Sequence, residues 1–315
     1  MEERLKQSIL QTLAYFDIFD HPLTKEELRR WHYGVAFQLL YSDFLMWLDT
    51  MTKAGLFGCK HGYYFLLGRE EIVAQRERRI QLVEKKMKIA IRGIKKIRWT
   101  PFVRAVFVCN TLSGGYTTEE SDIDVFVIVK NGRLWLARLQ ATLILILSGL
   151  RRNKKKSKDR ICLSFYAADN YLDLSTVSID KPDIYLMYWI SQLVPVYDPD
   201  NLHNDISKKN QWIKEYLSNA LQPYDLLSKW RVDDSRLSGA VKRMFEKMWA
   251  GASGNFLESQ AKGVQRAKMK MNFGSVKDEP DTRVVISDSM LKFHENDRRK
   301  EYKERWLSIC RRHNV

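Results

Sequence analysis

The chain has 315 residues, 45% of them hydrophobic, which is enough to bury substantial cores and to form two or three domains. Its 53 Lys and Arg against 38 Asp and Glu leave a formal charge of +15, a balance that favours polyanions such as nucleotides, nucleic acid or an anionic surface. Cys59, Cys109, Cys162 and Cys310 lie far apart with no paired spacing and no secretory leader, so a disulfide-stapled scaffold is excluded and a reducing, cytoplasmic location is expected.

Residues 4–19 place Leu5, Ile9, Leu13 and Phe16 at the spacing of one helix face. In His21-Pro22-Leu23-Thr24-Lys25-Glu26-Glu27-Leu28, Thr24 and Glu27 make a capping box for a second helix. A third helix fits 44–53, with Leu45, Leu48, Met51 and Thr52 inward and Gly55 as its stop. Two short strands, 56–59 and 63–66, then flank the turn Lys60-His61-Gly62. Three helices and a hairpin within residues 1–68 resemble the winged-helix family, a helix-turn-helix variant. The third helix carries one Lys, one Asp and no Arg, so contact with protein or a purely structural use is expected there rather than reading of DNA.

Residues 69–97 form a linker helix with an apolar stripe of Ile80, Val83, Met87, Ala90, Ile91, Ile94 and Ile97 and a basic remainder, which is expected to face solvent. Val106-Phe107-Val108 and Val125-Phe126-Val127-Ile128-Val129 then read as strands, joined by a polar connection rich in Ser, Thr and Gly. Asp122 and Asp124 stand where the second strand opens. Residues two apart on a strand share a face, so both carboxylates point to one side, where a hard divalent cation such as Mg²⁺ would relieve their repulsion.

This stretch resembles the DNA polymerase β-like nucleotidyltransferase superfamily, whose signature is Gly-Ser after one strand, roughly ten residues, and Asp-x-Asp opening the next. Asn110-Thr111 stands in the Gly-Ser place, residues 112–121 intervene, and Ser121-Asp122-Ile123-Asp124 matches the family's Ser-Asp-Ile-Asp form. Asn tolerates the left-handed backbone that Gly would supply. The resemblance implies that Asp122 and Asp124 hold Mg²⁺ or Mn²⁺. Thr111 would grip a nucleotide phosphate, with Asn110, Ser113, Gly114 and Ser121 completing the cradle.

Active members carry a further Asp on a later strand. Here that strand is Ile161-Cys162-Leu163-Ser164-Phe165-Tyr166, whose alternation puts Cys162 and Ser164 on one face and Leu163 and Phe165 on the other. Ser164 is therefore the expected occupant of the third position. Asp159, Asp169 and Asp173 flank the strand as turn or helix-start residues and serve as ligands only through a register shift.

The apolar run 141–147 is too short to span a bilayer and reads as a core helix covering the sheet. Residues 151–160 hold seven basic side chains and one acid near the expected site rim, either a solvated loop or a polyanion contact. A helix is expected from Asp183, with Ile184, Leu186, Met187, Ile190 and Leu193 apolar before Pro195, and another from Asn210, with Tyr185, Tyr188, Trp189, Trp212 and Tyr216 as core. Residues 237–272 suggest a basic helix pair, and 283–299 is distinctive without assignable chemistry.

The expected architecture is α+β: a winged-helix-like module (1–68), the linker helix (69–97), a nucleotidyltransferase-like mixed sheet with helices (98–198) and a basic helical C-terminal region (199–315). The leading function is transfer of a nucleoside monophosphate from an NTP to a hydroxyl of a protein, nucleic acid or small molecule. A non-catalytic nucleotide sensor and a nucleic-acid-binding regulator are the alternatives.

Overall fold

The N-terminal stripe forms α1 (Glu2–Asp17), with Leu5, Ile9, Leu13 and Phe16 all buried. After β1 (Leu23–Thr24) comes α2 (Lys25–Trp31), whose capping box is closed: Glu27 N donates to Thr24 Oγ1 at 3.3 Å and Thr24 N to Glu27 Oε2 at 2.9 Å. α3 (Tyr41–Lys53) buries Phe44 and Leu48. β2 (Gly58–Lys60) and β3 (Tyr63–Phe65) turn at His61 and Gly62, both at positive φ, and β1 pairs with β3 to make a sheet ordered β1-β3-β2. The computed structural model describes residues 2–34, 40–222, 226–273, 282–293 and 296–315.

α4 (Glu71–Ile97) is one uninterrupted helix, about 40 Å long at 1.5 Å per residue. Met87, Ala90, Ile91, Ile94 and Ile97 are buried as the stripe requires, but Ile80 is 54% exposed. The helix outruns the strands it covers, and its first half serves the N-terminal module instead. There Arg76 pairs with Glu27 at 2.8 Å and Arg79 donates to the Asp20 carbonyl at 2.7 Å.

The central sheet follows: β4 (Val103–Val108), the helical turn α5 (Asn110–Ser113), β5 (Ile123–Val129), α6 (Leu134–Leu147), β6 (Ile161–Ala168), α7 (Ile184–Ser191) and β7 (Val194–Tyr197). α8 (Leu202–Lys209), α9 (Arg236–Met248) and α10 (Ala252–Phe273) lead to β8 (Val284–Ile286), β9 (Met290–Phe293) and α11 (Arg299–Arg312). Strand order is β7-β4-β5-β6-β9-β8, with β5 parallel to β6 and every other neighbour antiparallel. The class is α+β.

Alternation along β4 and β5 sends side chains to two cores. Ala105, Phe107, Phe126 and Ile128 pack with α1, α7 and α11, while Val106, Val108, Val125 and Val127 pack with α4, α6 and α10. Three expectations need correction. The C-terminal region is not wholly helical, because β8 and β9 extend the sheet beside β6. The helix expected from Asn210 is only a 3-10 turn, Gln211–Glu215. Of the apolar run 141–147, Ala141 and Leu145 are buried but Leu143, Ile146 and Leu147 are exposed, since a continuous run on a 3.6-residue period faces every direction and only one stripe can meet the sheet.

Candidate functional site

Asp122 ends the loop before β5, and Asp124 is the second residue of that strand, its Cα opposite Cys162 of β6. The two acids share a face with Phe126 and open into a cavity of about 520 Å³. β9 pairs with β6 only at Phe165–Ala167, and Arg151 bridges Ile161. The Cys162–Ser164 stretch between them is where the cavity sits, lined from one sheet face by Ser164, Tyr185 and Trp189 and from the other by Leu163 and Arg138.

A hydrogen-bonded chain fixes Asp124. Asn110 adopts φ +58°, the left-handed geometry expected of it, and this turns its side chain into the cavity. Its Oδ1 accepts from Trp189 Nε1 at 2.6 Å, which leaves the amide nitrogen to bond Asp124. Ser164 Oγ donates to Asp124 Oδ1 at 3.2 Å. Burial, then the neighbouring Asp122 charge, raises the Asp124 pKa to about 6 despite these bonds.

Arg152 closes the other side. Its Nε lies 3.1 Å from Asp122 Oδ2, and its Nη1 donates to Cys162 Sγ at 3.4 Å. The basic segment thus reaches the site rim through Arg151 and Arg152, while Lys154, Lys155 and Lys156 remain exposed.

In comparisons with known proteins, no family model, curated protein or solved structure matches this chain.

Of the residues expected to cradle phosphate, only Asn110 lines the cavity. The others serve the loop. Thr111 contributes its carbonyl to Tyr116 N, and Ser113 Oγ bonds the Asn110 carbonyl at 3.0 Å. Gly114 lies so close to the Tyr116 ring that a Cβ would come within 2.1 Å of it. Ser121 Oγ accepts from Thr118 N, and its carbonyl accepts from Lys86 Nζ at 2.7 Å.

Ser164 faces the acids as expected, but the simple alternation of β6 fails. Asp124 is opposite Cys162 whereas Phe126 is opposite Phe165, so β6 carries one extra residue there, a bulge. Phe165 consequently joins Phe126 on the acid-bearing face, with Leu163 behind. None of the flanking acids reaches the site. Asp159 is held by Lys86 at 2.7 Å, Asp169 accepts from Asn131 N at 2.9 Å, and Asp173 caps a 3-10 turn through Ser175 N.

The third ligand-type atom is instead Cys162 Sγ, within 4.8 Å of an oxygen of each Asp. Burial pushes that thiol up to about 12. Two converging carboxylates are a donor set that could hold a hard divalent cation. The thiol is the softer donor and adds little for Mg²⁺.

Sequence reading missed Lys292, Asp297, Arg298, Arg299 and Tyr302, which form the far wall. Only the dense charge of 297–299 hinted at them, and His294 and Glu295 of that segment lie outside the described residues. Lys292 bonds Asp297 at 3.3 Å, and Arg299 bonds Asp183 at 2.9 Å. Tyr185 and Trp189, read as core, line the cavity, whereas Tyr188 is fully buried.

Proposed function

We propose that the chain transfers a nucleoside monophosphate from an NTP to a hydroxyl acceptor, with Mg²⁺ or Mn²⁺ held by Asp122 and Asp124. The observation that carries this reading is the acid pair converging at the base of a cavity, with Asn110 and Ser164 bonded to Asp124. When bound, the cation would neutralise triphosphate charge and assist attack on the α-phosphorus. Asn110 and Ser164 keep Asp124 oriented and favour its ionised form. Trp189, held by Asn110 and stacked on Phe165, and Tyr185, stacked on Tyr302, give the cavity an aromatic wall for a base. Arg152 can exchange Asp122 for a phosphate oxygen once a cation takes up that carboxylate.

The order β4, β5, β6, with the acids opening β5 between an antiparallel and a parallel neighbour, supports the nucleotidyltransferase-type core. The order α1, β1, α2, α3, β2, β3 with one three-stranded sheet supports a winged-helix reading of the N-terminus. Outward on α3 lie Met46 and an Asp49–Lys53 pair, which favours a structural use over base reading.

The test is binding of labelled NTPs with Mg²⁺ or Mn²⁺ to the wild type and to Asp122→Asn/Asp124→Asn. The double variant should lose metal-dependent binding while its melting temperature stays level or rises, because a like-charge pair is relieved. Undiminished metal-dependent binding would overturn the assignment.

A further inference from the structure

Most cations of the cavity are already paired. Arg152 holds Asp122, Lys292 and Arg299 share Asp297, and Arg298 grips Glu301 at 2.6 Å. Arg138 and Arg151 differ. Among the described residues neither has a carboxylate within ion-pair distance, yet both line the cavity. Arg138 extends from α6 between the Tyr166 and Phe293 rings, 5.9 and 4.9 Å from their centroids. Among the described residues its side-chain hydrogen bond goes to a neutral group, Gln265 Oε1 at 2.6 Å, and its Nε is buried with no hydrogen-bond partner. Arg151 Nη1 likewise reaches only a carbonyl, that of Ile161, at 3.0 Å.

Native proteins leave few buried polar groups unsatisfied, and a guanidinium short of partners at a cavity wall calls for an acceptor-rich group. Two guanidinium groups gathered without a counter-charge repel each other, and burial and Arg151 both push the Arg138 pKa down. An anion removes both costs at once.

We propose that Arg138 and Arg151 form an anion subsite of this cavity that takes a phosphate ester carried by the acceptor substrate. Assignment to the acceptor rests on the nucleotidyl-transfer reading; the anion subsite does not. The geometry separates two roles. Asp124, Ser164 and Trp189 belong to the α7 face of the sheet, whereas Arg138 and Tyr166 belong to the α6 face, and the Cys162–Ser164 stretch lies between. An NTP drawn to the acid pair keeps its phosphates on the first face. A phosphorylated acceptor can anchor on the second and present its hydroxyl across the strand edge. Phosphate suits the donors better than carboxylate, since its three free oxygens can meet two guanidinium forks at once.

The probe is inorganic phosphate, measured with the full chain by equilibrium dialysis in EDTA, against chloride at matched ionic strength. The wild type should bind phosphate, and Arg138→Gln and Arg151→Gln should each weaken it about tenfold or more. Asp122→Asn/Asp124→Asn should bind phosphate at least as tightly as the wild type, since it removes two negative charges from the cavity and frees Arg152. Metal-dependent ATP binding should survive Arg138→Gln within about threefold, the spread expected for a site that does not touch the nucleotide. Arg138→Lys, which keeps charge but loses the planar fork, guards against a folding failure; it should fold with a wild-type circular dichroism spectrum and still bind phosphate more weakly. Phosphate binding retained by Arg138→Gln, or no phosphate binding by the wild type, overturns the subsite. An equal fall of ATP and phosphate affinity in Arg138→Gln overturns its assignment to the acceptor. Loss of the nucleotidyl-transfer reading would show differently, as ATP binding unchanged by the double Asp variant with the phosphate results intact.

Discussion

Burial and the Asp122 charge both oppose ionisation of Asp124. A carboxyl whose folded pKa lies above its unfolded value favours the fold most below the unfolded pKa, and that advantage is lost as pH rises through the folded pKa. For a shift from 3.8 to about 6 the loss falls between those two pH values. It amounts to about 1–3 kcal/mol at 1.4 kcal/mol per unit. In EDTA, urea midpoints of the wild type should therefore decline over that window relative to Asp124→Asn, and the two curves should run parallel above pH 7. Parallel curves throughout would mean that Asp124 carries no unfavourable charge. The acid pair itself was legible, because Asp-x-Asp at a strand entrance has one geometric outcome. The Asn110 turn was legible too, since few residues other than Gly tolerate positive φ. Cys162 was read only as an occupant of one strand face. Its approach to both acids depends on which strand pairs with β5 and in what register.

At the scale of elements, the β6 bulge and the Lys86 anchor position the site. Lys86 sits on α4, fully buried, and its ammonium donates to the Glu119 and Ser121 carbonyls and to Asp159. It therefore ties the loop that delivers Asp122 to the helix behind the sheet. Replacing it by Met would leave a carboxylate and two carbonyls short of a donor. Lys86→Met should cost about 1–3 kcal/mol in urea unfolding and speed amide exchange over residues 119–123, with weaker metal-dependent NTP binding although no cavity residue is changed. Unaltered exchange there would show that the loop is held by other bonds. Reading α4 as an apolar stripe on a basic background placed Lys86 with the solvated charges. Its burial became visible only when Asp159, 73 positions away, stood opposite it. Strand alternation failed at Ser164 for a comparable reason, since one inserted residue is not marked by any change of composition.

Across the whole molecule, the two ends of the chain pack together. α11 lies against α1, and Trp306, 5% exposed, donates its indole N–H to the Gln11 carbonyl at 2.9 Å. Tyr302 stacks edge-on with Phe19 and face-on with Tyr185, so the same helix also lines the cavity. Trp306→Ala should cost about 3–5 kcal/mol and loosen the N-terminal module and the cavity wall in one transition. Separate unfolding of the two halves would contradict this coupling. The sequence by itself determined local elements: the α1 stripe, the Thr24–Glu27 capping box, the strands beside Asp122 and the shared face of the two acids. These follow from neighbours within a few residues, where period and capping chemistry act directly. Only the tertiary structure decided that β8 and β9 complete the sheet, that Cys162 and Arg152 meet the acids, and that, among the described residues, no carboxylate pairs with Arg138. Such pairings join residues far apart in the chain, and their energies depend on burial and partner geometry that no local pattern encodes.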